Sequence, residues 1–294
     1  MSIFKGAGVA LITPMNEDNT INYGKLEELL EEQIAAGTDA ILPVGTTGEA
    51  TTLSEEEHIE VIRFTVKVVN HRVPVIPGTG SNSTEKAITL SRKAEKIGAD
   101  GVLLVSPYYN KATQKGLIQH YKKIAKSIDI PCILYNVPSR TGVEIEPETI
   151  AQLYYDVENI VGVKDAAGNI GASTYLMSLV DEKFGLYSGN DDQIVPLLSI
   201  GGLGVISVLS NIAPERTHRL CQMWFDGNSE MACKEQLRAM GVIKALFSEV
   251  NPIPVKAAMN LMGKEVGALR LPLTEMEVDH LENLKQELKN YGIL

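Results

Sequence analysis

The chain has 294 residues, of which 44% are hydrophobic and 22% charged, with a formal net charge of −10. Those proportions describe a globular protein able to bury a sizeable core, in one large α/β domain or two ordinary ones. The acidic balance, with no basic cluster interleaved with aromatics, argues against nucleic acid as a partner; a small anionic substrate stays open, because an arginine and a lysine inside a cleft outweigh a diffuse acidic surface.

The opening MSIFKGAGVALITP has no long apolar run ending in a small-residue cleavage site, so a cytoplasmic protein is expected. GVALITP (8–14) is the first of eight short β-rich runs, followed by DAILPVG (39–45), VPVIPG (73–78), DGVLLVSP (100–107), IPCILYNVP (130–138), NIVGVKD (159–165), GLYSG (185–189) and GVISV (204–208). Between most of them lie amphipathic patterns such as YGKLEELLEEQIAAG (23–37) and STEKAITLSRKAEKIG (83–98), with apolar residues three and four apart. Ser54 with Glu57, and Asn82 with Glu85, resemble capping boxes, while Gly37 and Gly98 stand where helices should end. Eight strands each followed by a helix predict a (β/α)8 TIM barrel, with a doubly wound open sheet as the alternative. The apolar stretch at 194–209 is too short for a membrane span and is broken by Pro196 and glycines, so no membrane is expected. After Gly227 the strands stop and helices are predicted at 229–249, 253–262 and 274–291. The expected division is a catalytic barrel at 1–227 and a C-terminal helical extension at 228–294 that contributes shape and contacts more than chemistry. Asn251-Pro-Ile-Pro254 reads as punctuation between helices.

A barrel carries its active site at the C-terminal ends of its strands, which singles out Gly45–Glu49, Pro107–Asn110, Tyr135–Gly142 and Lys164. On strand 159–165, alternation puts Ile160, Gly162 and Lys164 on one face, pointing into the barrel, with Val161, Val163 and Asp165 on the other. Gly162 would leave room beneath the lysine. A partly desolvated amine has its pKa pulled below about 10.4 and can attack a carbonyl carbon to form a Schiff base. An ion pair, or a side chain that snorkels to the rim, is the competing reading of the same strand. Tyr135 ends the preceding strand, so its phenol should neighbour the amine and could shuttle a proton, although a packed aromatic is the commoner fate. Thr46 and Thr47 can offer hydroxyl and N–H groups to a carboxylate, or simply serve a turn. Arg140 can fork onto a carboxylate or make a rim salt bridge.

Other features carry less. GTGSNS (78–83) has Ser83 where a dinucleotide fingerprint needs glycine and reads as a helix-capping turn. Asp191 and Asp192 lack companions at metal-ligand spacing; Asn190 or Asp191 is expected to cap a helix. His58, His71, His120, His218 and His280 are scattered and expected at the surface. Cys132, Cys221 and Cys233 are odd in number and suggest neither disulfides nor zinc.

The order and spacing of GVALITP, ILPVGTTGEATTLS, VIPGTGSNST, PYYNKATQKGL, ILYNVPSRTG, GVKDAAGN, NPIPVKAAMN and LRLPL resemble, across nearly the whole chain, the dihydrodipicolinate synthase branch of the N-acetylneuraminate lyase-like class I aldolases. The resemblance implies that Lys164 forms a Schiff base with pyruvate and that the enamine adds to aspartate 4-semialdehyde, the first committed step of diaminopimelate and lysine biosynthesis. It implies Tyr135 as proton shuttle, linked through Thr46 to Tyr109 of a neighbouring subunit, Thr47 on the pyruvate carboxylate, Arg140 on the semialdehyde carboxylate, and Gly189 and Ile206 as pocket lining. It further implies a homotetramer built from two tight dimers, and no metal or organic cofactor. A sister aldolase acting on a sugar-derived 2-keto acid is the alternative, and a catalytically silent scaffold the remaining one; the Ser-Arg-Thr-Gly loop favours the synthase, while Asp165 stands where many synthases carry glutamate. His58, Asn82 and Tyr108 match the lysine-inhibition site of regulated members, but Lys86 replaces a glutamate there and Glu55 stands where some carry a histidine. A cation facing the ligand's ammonium should weaken inhibition by lysine.

Overall fold

The computed structural model describes residues 2–294. Seven parallel strands, β1 (Gly6–Ala10), β2 (Ala40–Leu42), β3 (Val102–Val105), β4 (Cys132–Asn136), β5 (Ile160–Asp165), β6 (Gly185–Ser188) and β7 (Gly204–Ser207), pair in the order β2-β1-β7-β6-β5-β4-β3. The eighth expected strand falls in the remaining gap. Residues 75–78 bridge β2 at Ile41 on one side and β3 at Leu103 on the other. Pro74 and Pro77 cannot donate to a ladder, so the segment pairs through what is left: Ile41 N to Pro74 O and Ile76 N to Ile41 O, both 2.9 Å, and Leu103 N to Pro77 O, 2.9 Å. The sheet therefore closes into a (β/α)8 barrel, and the open-sheet alternative falls away.

Leu42, Ile76, Leu103, Ile133, Val161, Tyr187 and Ile206 fill the barrel interior, while Ile41, Leu104, Leu134, Val163 and Leu186 face the surrounding helices. Helix ends follow local chemistry. Ser54 and Glu57 form the expected capping box, and Gly98 closes its helix at φ 99°. The second expected box is different: Ser83 caps the helix Thr84–Ile97, and the Asn82 amide instead donates to Tyr108 O at 3.1 Å.

The C-terminal helices span Ser229–Leu246, Ile253–Leu261 and Val278–Tyr291. The last begins four residues later than its pattern predicts, because Glu277 stays extended with its N–H held by Glu249 Oε1 at 2.9 Å. Leu246, Val255, Met259, Leu284 and Leu288 share one apolar cluster with Ile12, Leu29 and Leu209 from the barrel. Among the described residues no helix is long and apolar enough to cross a membrane.

Candidate active site

Lys164 is the penultimate residue of β5 and stands in register between Tyr135 on β4 and Tyr187 on β6. It is 6% exposed, and its Nζ lies 4.4 Å from the centroid of the Tyr135 ring. Among the described residues it forms neither a salt bridge nor a hydrogen bond, so the ion-pair and rim readings of this lysine both fail. Burial lowers its pKa from 10.5 to about 8; the charge of Asp191 opposes that shift and the charge of Arg140 adds to it.

The strand beneath it is not the simple alternation read from sequence. Cys132 pairs with Ile160 but Ile133 pairs with Gly162, so β5 carries an irregularity of one residue. Ile160 consequently packs outward and Val161 inward, the reverse of the expectation, whereas Lys164 keeps its inward direction. Gly162 is needed for backbone packing: a methyl group there would overlap the carbonyl oxygen of Gly185. Clearance for the lysine comes instead from Gly189, where a Cβ would sit 3.1 Å from Lys164 Cε and 2.7 Å from Ala166 Cβ. Asp165 points away from the cavity. Its carboxylate accepts from Ser173 Oγ at 2.6 Å, Ala167 N at 3.0 Å and Asn136 Nδ2 at 3.3 Å, tying β5 to β4 and to the helix Ile170–Leu179.

A cavity of about 150 Å³ opens over Lys164, and Thr46, Thr47, Tyr135, Arg140, Gly189 and Ile206 all line it. Tyr135 is buried, which raises its phenol pKa; the charge of Arg140 and the hydroxyl of Thr46 pull the other way. The phenol therefore keeps its proton at physiological pH. The loop carrying Thr46 and Thr47 is bounded by Val44 at φ 48° and Glu49 at φ 53°, and closes through Glu49 N to Thr46 O at 3.1 Å. Thr47 Oγ1 accepts from Asn251 Nδ2 at 2.9 Å, and Arg140 Nη2 donates to Asn251 O at 3.2 Å. Tyr109 is the exception among the expected site residues. It is 92% exposed at φ 72° and does not line the cavity of its own chain.

Several contributors escaped the sequence reading. Asn251, taken for punctuation, is 5% exposed, lines the cavity and touches both Thr47 and Arg140. Phe247, also from the extension, lines the same cavity. Asp191 caps no helix of its own: it is 1% exposed and its carboxylate takes Ser207 Oγ, Val208 N and Leu209 N at 2.5, 3.0 and 2.9 Å, fixing the turn after β7. Burial raises its pKa, against those hydrogen bonds and the charge of Lys164. His58 and His120 are buried rather than superficial, each with its pKa lowered to about 4 by desolvation. Only the Asp-Asp doublet and the Asn-Pro step had marked any of these places in the sequence.

A second cavity, of about 290 Å³, shares Thr46 and Tyr135 with the first and is lined by Glu55, His58, Lys86 and Tyr108. Asn82 reaches it only through its hydrogen bond to Tyr108 O. Glu55 is engaged by Lys93, and His58 Nε2 lies 2.9 Å from Gly78 O.

A family model described as the dihydrodipicolinate synthetase family matches residues 3–291. The chain is 58% identical over 292 residues to the 4-hydroxy-tetrahydrodipicolinate synthase of Acetivibrio thermocellus, covering 99% of each. It is 57% identical over 294 residues to the enzyme of that name from Lachnoclostridium phytofermentans, covering 100% of each. Among solved structures, the chloride-inhibited dihydrodipicolinate synthase of Acinetobacter baumannii, complexed with pyruvate, superposes with a TM-score of 0.97 at 44% identity, covering 100% of both chains.

Proposed function

The chain belongs to the dihydrodipicolinate synthetase family, and from that premise we propose how its cavity carries out the reaction. The reaction is the condensation of pyruvate with L-aspartate 4-semialdehyde to 4-hydroxy-tetrahydrodipicolinate. The pyruvate carboxylate lies against the Thr46–Thr47 loop, which sets the keto carbon over Lys164. The neutral amine of Lys164 attacks that carbon. Tyr135 protonates the hydroxyl of the carbinolamine, water leaves, and an iminium forms. Loss of a proton from the adjacent methyl gives an enamine whose carbon attacks the aldehyde of the semialdehyde, with Arg140 at the mouth holding the second carboxylate. The semialdehyde's amine then closes on the iminium carbon and displaces Lys164.

The observation that supports this reading is a buried, unpaired lysine with a pKa of about 8 beside a buried phenol. A lysine held as an ordinary ammonium would be a poor nucleophile; at pKa 8 about a tenth is neutral at pH 7. Borohydride reduction in the presence of pyruvate, followed by peptide mass spectrometry, tests it. A reduced pyruvate adduct on Lys164 is expected, and an unlabelled Lys164 would remove the mechanism.

Tyr109 completes the site of a second copy in a tetramer of two tight dimers, supported by its near-total exposure on a loop that also holds Lys111 at φ 34°. Sedimentation with parallel assays tests this: a monomer of full activity would refute it. The enzyme works in the cytoplasm.

A further inference from the structure

Beyond the cavity, the most unusual group in the molecule is a second buried lysine. Lys256 and Glu49 form a salt bridge of 2.9 Å with side chains 1% and 0% exposed. Lys256 Nζ also donates to Thr13 O at 3.1 Å and Ala268 O at 2.6 Å, and Glu49 Oε2 accepts from Arg270 N at 3.0 Å. Burial lowers the pKa of Lys256, and the charge of Glu49 and its hydrogen bond oppose part of that shift. A buried ion pair contributes little net stability compared with apolar side chains of the same volume, so its presence calls for another account.

Its location supplies one. Glu49 closes the loop that carries Thr46 and Thr47, at a positive φ. Thr13, whose carbonyl binds Lys256, donates its own hydroxyl to Gly48 O at 2.7 Å. Asn251 holds Thr47 from the same stretch of chain, and Arg270 secures the far end of the segment through Thr52 O at 3.0 Å and both Glu57 oxygens at 2.7 and 2.6 Å. Every one of these supports except Thr13 comes from the C-terminal extension. Apolar packing would hold the segment in place loosely; five directional bonds around one ion pair fix the rotation of the loop as well.

We propose that Glu49 and Lys256 are positioning residues for catalysis, through which the C-terminal extension sets the Thr46–Thr47 loop against Lys164. This rests on the reading of that loop as the pyruvate carboxylate site. Neither residue touches the substrate. Their effect is to hold the carboxylate so that the keto carbon sits within reach of the amine.

The test compares the double variant Glu49→Gln/Lys256→Met, which leaves no orphaned buried charge, with Leu284→Ala, which cuts the extension's apolar packing and removes none of the brace's hydrogen bonds. Wild type trapped by borohydride with pyruvate first establishes the Schiff base at Lys164, and slower trapping at low pyruvate in Thr47→Ala establishes the loop's reading; a wild type that traps nothing, or a Thr47→Ala that traps like wild type, overturns that reading rather than the brace. Given a trapping wild type, the double variant should lose between about tenfold and a hundredfold in kcat/KM for pyruvate and in trapping rate at low pyruvate, as misplacement of a positioning group by an ångström does. The trapping rate should recover at saturating pyruvate. Leu284→Ala should lower Tm with kcat/KM for pyruvate unchanged. Wild-type kinetics in the folded double variant, or an equal kinetic loss in Leu284→Ala, would overturn the proposal.

Discussion

Replacing Lys164 with methionine should abolish turnover and make the fold more stable. Burial holds the Lys164 pKa at about 8 against 10.5 for the free side chain. That difference corresponds to about 3 kcal/mol by which the folded state disfavours the ammonium. The sign follows from proton binding. Between pH 8 and 10.5 the unfolded chain binds the proton and the folded chain does not, so stability rises with pH across that window. The penalty is fully present below pH 8 and gone above 10.5. Methionine fills nearly the same volume without a charge, so at pH 7 the variant should gain up to about 3 kcal/mol, or up to roughly 5 °C in Tm for a chain of this size. Urea and thermal unfolding of both proteins at pH 7, 9 and 11 would show the gap and its closure. A wild type as stable as the variant at pH 7, or a gap independent of pH, would mean that the ammonium is well compensated in the fold and that the Schiff-base argument has lost its physical basis.

Three further outcomes are expected. The kcat/KM for pyruvate should climb about tenfold per pH unit below pH 8 and level off above it, as the neutral amine of Lys164 becomes dominant; a flat profile between pH 6 and 8 in a steady-state assay would contradict this. Gly189→Ala should slow borohydride trapping as well as lower Tm, because its Cβ would press on Lys164 Cε at 3.1 Å and on Ala166 Cβ at 2.7 Å, whereas Gly162→Ala should lower Tm through its overlap with Gly185 and leave the trapping rate of the folded protein near wild type; the reverse assignment of the trapping effects would show that the glycine roles are mistaken. Inhibition by lysine should be weak, since Lys86 lines the second cavity where the ligand's ammonium would need a neutralising partner; strong inhibition at submillimolar lysine in a purified-enzyme assay would refute it.

The barrel could be read from the sequence because its signals are local: apolar runs, helix periodicity and end-capping residues repeat at the spacing of βα units. Lys164 and Tyr135 were legible for a related reason. Strand ends are fixed by the chain itself, and adjacent strands in a parallel sheet place their ends side by side. What failed was everything set by register or by distant contacts. The one-residue irregularity between Cys132 and Ile133 reversed the faces of Ile160 and Val161 and moved the clearance role from Gly162 to Gly189. No local pattern announces it. Pro74 and Pro77 left one stave of the barrel visible only as bridges. Glu49, Lys256 and Asn251 looked unremarkable singly, because their meaning lies in pairings about 200 residues apart along the chain.

The order in which the chain is made gives the extension's contacts a temporal meaning. All seven strands and Lys164 precede residue 208, while Phe247, Asn251, Lys256 and Arg270 follow it. During synthesis the strands would therefore hold Lys164 before the Thr46–Thr47 loop has its supports. On the roles proposed for these residues, competence to bind keto acids then arrives late, with the last stretch of polypeptide, and a chain cut short before Asn251 would keep Lys164 but not the contacts that hold the Thr46–Thr47 loop.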